Sequence, residues 1–435
     1  MARGTRGLPS ERFPGGVSRA LLGLVVIIGV TPARGQEPEP EAEQARPADA
    51  FVDSIGVNVH LGNTDTIYRR YDEIIRPRLA ELGVRHVRDG LRAERRDVIA
   101  RLNDLTTLGI RSILIVSPEE AVEITRAASA STWAVEGRNE PDNKGGGWEE
   151  RTRQEQAALY RAIKGDPATD QLPVVISGMA NTRDSPGKLG SLVESLDYGN
   201  MHSYPGGLPP TSGGWGIPLS KAIAEARKVC DGKPIVATET GYHNRLAERG
   251  HPGVSETAEA KYLPRLLLTY FDHGIARAYL YEFADEKPDP EYGDKEQHFG
   301  LLRVDGTPKP AFVALKNLIA LLADPGPAFE PGALAHALEG DQQDIRRVLL
   351  ARRDGTFDLI LWQEVPSFDL STREDIEVVP RALTLRLPAP VGRVEVYRPI
   401  TSTEPDGRVE GRSEVPLRVP DDPLIVRIKP GPPGG

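Results

Sequence analysis

Short apolar runs alternate with longer amphipathic segments from Phe51 onwards. In the longer segments the apolar residues recur every three or four positions, the period of a helix with one buried face, and several end at glycine, a common helix terminator. The short runs are nearly continuous in apolar residues, as expected of parallel strands covered on both faces. Eight such repeats predict a (β/α)8 TIM barrel, which we place at residues 51–324. The predicted strands are SIGVNVH, GVRHVRDG, RSILIVSP, TWAVEGRNEP, LPVVISGM, YGNMHSYPG, PIVATETGY and ARAYLYEFAD.

The pattern changes near Pro325. Segments such as FDLILWQE, ALTLRLP and RVEVYRP are apolar at alternate positions or throughout, and Gly, Pro and Asp lie between them. This pattern is typical of antiparallel strands joined by tight turns. We therefore predict that the barrel is followed by a smaller all-β sandwich domain over residues 325–435.

The first 50 residues differ in composition from the rest of the chain. Residues 1–19 carry four arginines and one glutamate, and the apolar run ALLGLVVIIGV that follows is shorter than the roughly 20 residues of a membrane span. Ala33 and Gly35 are small enough for signal-peptidase cleavage, so we predict a signal peptide over residues 1–35 and a secreted or periplasmic protein with no membrane span afterwards. An uncleaved anchor is the alternative. Residues 36–50 are rich in Pro and Glu and predict a disordered linker.

The net charge and the cysteine content limit the kinds of partner, cross-link and ligand that the protein can have. The net charge is −9, and removal of residues 1–35, with five arginines and one glutamate, makes it −13. An acidic surface of this kind disfavours nucleic acid as a partner. Cys230 is the only cysteine, so an intrachain disulfide is excluded, and no close His or Cys spacing of a metal site is found. We expect no metal and no cofactor.

Polar side chains follow most of the predicted barrel strands. The strands end in His60, in Arg88, in Asn139 and Glu140, in His202 and Tyr204, in Glu239, and in Glu282. Because the carboxyl ends of barrel strands open into one shared bowl, these groups are expected to converge. Glu140 and Glu239 come from the fourth and seventh strands, which would place two carboxyl groups over one mouth at the roughly 5–5.5 Å separation of a retaining glycosidase.

The motifs RNEP, HSY and TETGY, with Arg88 closing the second strand, resemble glycoside hydrolase clan A, and the β domain extends the resemblance to family 39. The resemblance implies a retaining hydrolase of O-glycosidic bonds, with Glu140 as acid/base and Glu239 as nucleophile. It also implies that Asn139 binds the sugar 2-hydroxyl, that Tyr204 bonds to Glu239, and that Arg88 keeps Glu239 ionised. The substrate would be an oligo- or polysaccharide.

Further substrate-binding candidates come from strand ends and loops. His60, His202 and Glu282 lie at strand ends, although each is equally compatible with a structural role. Trp148 and Trp215 lie in glycine-rich loops that would overhang the bowl, where an indole ring can pack on a sugar face; burial against the barrel is the alternative. Clan members often have a tryptophan at the end of the eighth strand, and here Tyr281 or Phe283 would replace it.

Two other functions fit the same residues. A barrel that has lost catalysis would bind oligosaccharide without cutting it, and the altered eighth strand keeps this alternative open. A polysaccharide lyase would use Tyr204 or His202 as a base beside a uronic carboxylate held by Arg88 or Arg138. We also expect Glu136 and Arg138 to form an ion pair that supports the site.

Overall fold

The computed structural model of the chain describes residues 39–212, 217–247 and 250–431. Within these residues, eight parallel strands form a barrel in which each strand pairs with its neighbours in chain order, and the first strand pairs with the last. The ring is closed between the fifth and sixth barrel strands, where the Ile176 amide donates to the Tyr198 carbonyl at 3.2 Å. The (β/α)8 barrel is therefore confirmed. Its strands are β3 (Ile55–Asn58), β4 (His86–Gly90), β5 (Arg111–Ile115), β6 (Thr132–Glu136), β7 (Val174–Val175), β8 (Gly199–His202), β9 (Ile235–Thr240) and β10 (Arg277–Leu280).

Helices follow the barrel strands and bury one face against them. In the helix after β4, for example, Val98, Leu102 and Leu105 are buried at helical spacing. Gly83 and Gly109 take left-handed backbone conformations where two helical segments end, as the glycine positions predicted. The α-helices are α1 (Ala48–Asp53), α2 (Arg76–Leu82), α3 (Arg96–Leu105), α4 (Ala121–Ala127), α5 (Trp148–Lys164), α6 (Ser185–Leu189), α7 (Leu219–Cys230), α8 (Glu256–Asp272) and α9 (Pro310–Leu322).

The C-terminal residues form the all-β domain that the sequence predicted. One face of its sheet packs against the barrel through side chains such as Leu350 and Ile360, and neighbouring residues such as Leu349 and Leu361 face a second core inside the domain. Because strands from both ends of the sheet contribute to this second core, the sheet must curl around it. The strands are β11 (Ala333–Gly340), β12 (Ile345–Ala351), β13 (Phe357–Gln363), β14 (Phe368–Asp369), β15 (Glu374–Asp375), β16 (Arg381–Tyr397), β17 (Pro405–Val419) and β18 (Leu424–Lys429).

Residues 39–50, predicted as a disordered linker, instead take part in the β domain. Strand β1 (Glu41–Gln44) pairs antiparallel with β11, and β2 (Arg46–Pro47) pairs parallel with β12. These partners lie on opposite edges of the sheet, whose order is β1-β11-β16-β18-β13-β12-β2. The linker prediction was wrong because composition reports on side chains, whereas residues 41–47 are held by backbone hydrogen bonds to two sheet edges and bury only Ala45 deeply.

Removing this segment is expected to destabilise the β domain. A chain that begins at residue 48 would expose the edges of β11 and β12, and unpaired edges promote association between molecules. We expect a lower melting temperature and concentration-dependent aggregation, compared with a chain that begins at residue 39. Equal melting temperatures by calorimetry, with both chains monodisperse, would contradict a stabilising role for β1 and β2.

The predicted signal peptide lies outside the described residues. Among the residues that are described, no helix combines the length and the apolar character needed to cross a membrane.

Candidate active site

The carboxyl ends of the barrel strands bring together the residues that the sequence singled out. Glu140 follows β6, His202 ends β8 and Glu239 lies near the end of β9. One carboxylate oxygen of each glutamate and one imidazole nitrogen of His202 all lie within 4.8 Å of one another. Two glutamates remote in sequence therefore face each other over the mouth of the barrel.

Glu239 accepts two hydrogen bonds and lies close to the imidazole of His202. Arg88 donates from Nη1 to Oε1 at 2.7 Å, Tyr204 donates its hydroxyl to Oε2 at 2.9 Å, and His202 Nδ1 lies 3.5 Å from Oε2. Burial alone would raise the pKa of this carboxyl group, but the positive charges of His202 and Arg88 and the two hydrogen bonds outweigh it, so the pKa is lowered. Glu239 is thus an ionised carboxylate, fixed in position and nearly removed from water.

Arg88, on β4, is itself fixed mainly by Glu136, which lies two strands away on β6. It donates from Nε and Nη2 to both oxygens of Glu136, at 2.7 and 2.8 Å, and from its Nη atoms to the side chains of Asn58 and Asn139. Glu136 is fully buried. A two-point contact of this kind holds a guanidinium group in one orientation, which determines where Arg88 meets Glu239.

The expected ion pair between Glu136 and Arg138 was therefore wrong. Arg138 lies on the surface, where it pairs with Glu155 at 3.1 Å. Residues two positions apart in a strand point to the same face. Arg138 would share a face with Glu136 only if β6 continued that far, but β6 ends at Glu136.

Glu140 has a backbone conformation that non-glycine residues seldom adopt. Its φ is +44°, and Pro141 follows it immediately. Such a conformation costs about 1–3 kcal/mol and is commonly found at functional sites. Its carboxylate lies 3.0 Å from His202 Nδ1 and accepts a hydrogen bond from Asn143 at 3.2 Å, and a quarter of the side chain is exposed. Glu140 is more accessible to solvent than Glu239.

His202 links the two glutamates to the strand behind them. Its Nδ1 faces both carboxylates and its Nε2 lies 3.0 Å from the Thr238 hydroxyl. Burial lowers the pKa of His202. The negative charge of Glu239 and the hydrogen bond to Glu140 raise this pKa by more than burial lowers it, so the net shift is upward. A protonated imidazole would serve as a cationic clamp between the two carboxyl groups.

This upward shift predicts a pH-dependent stability. A histidine whose pKa is higher in the folded than in the unfolded state contributes stability that is fully present below its ordinary value of 6.5, and that is lost as the pH rises through the folded value. We therefore expect His202→Asn to lower the unfolding free energy most at acidic pH and progressively less above pH 6.5. Urea unfolding of both chains over this range measures the difference, and a difference that does not vary with pH would contradict the assignment.

A cavity of about 600 Å³ opens beside the two glutamates. Asn139, His202 and Tyr204 line it, as predicted, whereas Arg88 lies behind Glu239 and does not. Asn139 accepts from Arg88 through its side-chain oxygen, which turns its amide donors away from Arg88. Tyr281, one of the two aromatic candidates at the eighth strand, also lines it. The other lining residues come mainly from loops, and pattern reading could not place them: Asn143, Ala180, Asn181, Thr182, Arg183, Asp184, Ser203, Ile217, His251, Lys295, Glu296 and Phe299.

Three of the predicted substrate-binding residues on strand ends and loops lie away from the cavity. His60 and Glu282 do not line the cavity and lie 3.1 Å from each other. Trp148 is the first residue of α5 and packs into the barrel core, so the alternative of burial is correct for it. Trp215 lies outside the described residues. Of the two aromatic replacements at the eighth strand, Tyr281 lines the cavity and Phe283 is buried in the core.

Within the described part of the chain, two groups of side chains have the spacing of metal ligands. One is the set Glu140, His202 and Glu239, where Arg88 and Tyr204 already occupy the oxygens of Glu239. The other consists of His60, Glu282 and Glu286.

Comparisons with known proteins support the fold. No protein-family model matches the chain, and no curated protein matches it in sequence. Among solved structures, a family 39 glycoside hydrolase from Bacteroides cellulosilyticus is similar with a TM-score of 0.60 at 16% identity, over 88% of this chain and 81% of that one. A glucosidase from Croceicoccus marinus has a TM-score of 0.58 at 13% identity, over 90% and 98% of the two chains. An endo-β-1,6-glucanase has a TM-score of 0.53 at 13% identity, over 89% and 92%.

These structures share both parts of the chain, since each alignment spans most of its length. The likeness confirms the resemblance to clan A at the level of the fold. The chain has the architecture of the clan A glycoside hydrolases, a (β/α)8 barrel followed by a β domain.

Proposed function

We propose that the protein is a retaining glycoside hydrolase that cleaves O-glycosidic bonds of an oligo- or polysaccharide. The observation that carries the proposal is the opposed pair of glutamates, whose nearest ligand oxygens lie within 4.8 Å across a cavity. Retaining enzymes hold their two carboxyl groups about 5–5.5 Å apart, whereas inverting enzymes need about 6.5–9.5 Å to admit a water molecule between carboxylate and sugar.

In this proposal Glu239 is the nucleophile. Its carboxylate attacks the anomeric carbon, the bond to the leaving oxygen breaks, and Glu140 transfers its proton to that oxygen. The contacts of Glu239 with Arg88 and Tyr204 favour this role, because they keep it ionised and fix its direction of attack. The product of this step is a glycosyl ester of Glu239.

Glu140 then acts as the base. Formation of the ester removes the negative charge of Glu239, and Glu140, now deprotonated, accepts a proton from water that attacks the anomeric carbon and releases Glu239. The partial exposure of Glu140 suits a group that must meet both a leaving group and water. Asn139, whose side-chain oxygen is held by Arg88, presents its amide towards the cavity and is suited to bind the sugar 2-hydroxyl.

The lyase alternative finds less support. Arg88 is buried and fully engaged by Glu136 and Glu239, so it is not available for a uronic carboxylate, and Arg138 lies on the surface. Burial and the neighbouring Glu239 raise the pKa of Tyr204 well above its ordinary value, which opposes its ionisation to a base. Binding without catalysis does not account for Glu239, a carboxylate that Arg88 keeps ionised, lying opposite the partly exposed carboxyl group of Glu140.

Replacement of Glu140 with alanine tests the role of acid/base. With an aryl glycoside whose leaving group needs no proton, the glycosyl ester should form but react slowly with water. Azide, which needs no base, should then restore turnover and give a glycosyl azide with the anomeric configuration of the substrate, measured by NMR. Failure of azide to accelerate turnover, or an azide product of inverted configuration, would contradict the assignment.

We also propose that the protein acts outside the cytoplasm, on the basis of the signal sequence predicted for residues 1–35. Fusion of these residues to a reporter that lacks its own signal, followed by fractionation, would test it: reporter found only in the cytoplasm would contradict export.

A further inference from the structure

One imidazole and two carboxylate side chains meet near Tyr281, and none of the three lines the cavity. His60 follows β3, and Glu282 and Glu286 follow β10, the strand that pairs with β3. His60 Nε2 lies 3.1 Å from Glu282 Oε2 and 3.9 Å from Glu286 Oε1, and one ligand atom of each residue lies within 4.8 Å of the other two. The residues come from different parts of the chain, so no sequence spacing reveals them.

Two atoms of this cluster are buried without a hydrogen-bond partner among the described residues. They are His60 Nε2 and Glu282 Oε2, and Glu282 is 1% exposed. The two atoms form an ion pair at 3.1 Å whose geometry is not that of a hydrogen bond. The Tyr68 hydroxyl, whose ring packs edge-on against His60, is also buried without a partner. Buried polar atoms are nearly always paired, so this concentration points to a ligand that satisfies them together.

The distances fit ligands that surround one metal ion. Donor atoms at about 2.0–2.2 Å from an ion lie roughly 2.8–3.6 Å apart in octahedral or tetrahedral geometry. The separation between His60 and Glu282 falls in this range, and Glu286, 3.9 Å from His60 and within 4.8 Å of Glu282, needs only a small side-chain adjustment to join them. If both side chains bind the same ion, each points at the ion, so His60 and Glu282 need not be aligned with each other as donor and acceptor.

The surroundings are negative and hold the ligands in place. The Asn63 amide donates to both oxygens of Glu286, at 2.8 and 3.0 Å, and the buried carboxylate of Asp89 accepts from the Leu61 amide close to His60. The nearest lysine in sequence, Lys287, pairs instead with Asp65. Hydrogen bonds that orient ligating carboxylates are typical of metal sites.

We propose that His60, Glu282 and Glu286 bind one Zn²⁺ ion. An imidazole with two carboxylates favours a first-row transition metal over Ca²⁺ or Mg²⁺, which prefer oxygen ligands alone. The ion would join the loops after β3 and β10. Since Tyr281 is adjacent to Glu282 and its ring lies 5.8 Å from that of His60, the ion would also fix the aromatic residue that lines the cavity. This role is distinct from the catalytic pair and does not depend on the proposed reaction.

Zinc binding by the purified full-length protein tests the proposal. After treatment with a chelator and equilibrium dialysis against Zn²⁺, we expect about one ion per chain by mass spectrometry, and a higher melting temperature with the ion than without it. Glu282→Gln and His60→Ala should each weaken binding at least about tenfold and remove the effect of Zn²⁺ on the melting temperature. Glu239→Gln is the matched control, because it alters the other group with ligand spacing, and it should retain the ion.

A second variant covers the case in which Glu282→Gln fails to fold. Asn63→Ala leaves all three ligands in place but removes the group that orients Glu286, and should weaken Zn²⁺ binding by about 10–100-fold. The proposal is overturned if the wild-type chain binds no stoichiometric Zn²⁺, if binding is unchanged in Glu282→Gln, His60→Ala and Asn63→Ala, or if Glu239→Gln is the variant that loses the ion. None of these measurements requires an active enzyme or a known substrate.

Discussion

Replacing Glu239 with glutamine is expected to lower the rate of glycoside hydrolysis by about 10⁴-fold or more, because an amide cannot form the glycosyl ester on which the proposed reaction depends. Glutamine has nearly the same size, can still accept a hydrogen bond from Arg88 through its oxygen, and can donate its amide to the Tyr204 hydroxyl oxygen, so the fold should survive. Initial rates on the aryl glycoside that the wild-type chain hydrolyses best, chosen from a panel, provide the measurement.

The matched control is Glu119→Gln, the same change at a side chain that is mostly exposed on the loop after β5. This variant should retain wild-type activity. If Glu239→Gln were as active as Glu119→Gln, Glu239 would not be the nucleophile. If the wild-type chain bound an oligosaccharide but cleaved none of the panel, a binding function without catalysis would replace the proposal.

The second large effect is expected from Arg88→Ala. Arg88 is the cation that compensates two buried carboxylates, and removing one partner of a buried ion pair typically costs about 3–5 kcal/mol because the other charge is left unpaired. The unfolding free energy at neutral pH should fall by about this amount, and kcat by at least about 100-fold, since Glu239 loses the group that orients it. Urea unfolding and steady-state kinetics measure the two effects.

Two further variants make this prediction specific. Arg138→Ala, the same change at a surface arginine paired with Glu155, should cost at most about 1 kcal/mol and leave kcat unchanged. Adding Glu136→Gln to Arg88→Ala removes one of the two buried carboxylates that Arg88→Ala leaves unpaired. The double variant should therefore lose less unfolding free energy than the sum of the losses in the two single variants. Additive losses, or an Arg88→Ala chain as stable as Arg138→Ala, would contradict a shared buried network.

The central part of the site could be predicted because barrel topology determines it. Once eight strands are recognised, their carboxyl ends must share one mouth, and Glu140, His202, Tyr204 and Glu239 follow from position alone. The role of Glu136 could not be predicted in the same way. Whether it meets Arg88 or Arg138 depends on the residue at which β6 ends, and pattern reading does not define strand ends to one residue.

The walls of the cavity were beyond sequence reasoning for a different reason. They belong mainly to loops, such as the one that carries Lys295 and Phe299, whose course depends on packing and not on a repeating pattern. Tyr281 and Glu282 are neighbours just beyond the end of the eighth strand, and only Tyr281 lines the cavity. The sequence alone does not reveal which of the two does so. The prediction that Trp148 overhangs the bowl was wrong because the glycine-rich segment before it leads directly into α5, whose first residue is Trp148.

The pairing of residues 41–47 with the C-terminal sheet has a consequence for the order of biosynthesis. Gln44 bonds to Pro331, 287 positions later, so the first strand leaves the ribosome long before its partners have been translated. The barrel can assemble during this interval, but the β domain cannot be completed until the chain has emerged through β18. Contacts this distant along the chain form slowly, so we expect closure of the β domain to be the last and slowest step in maturation of the nascent protein.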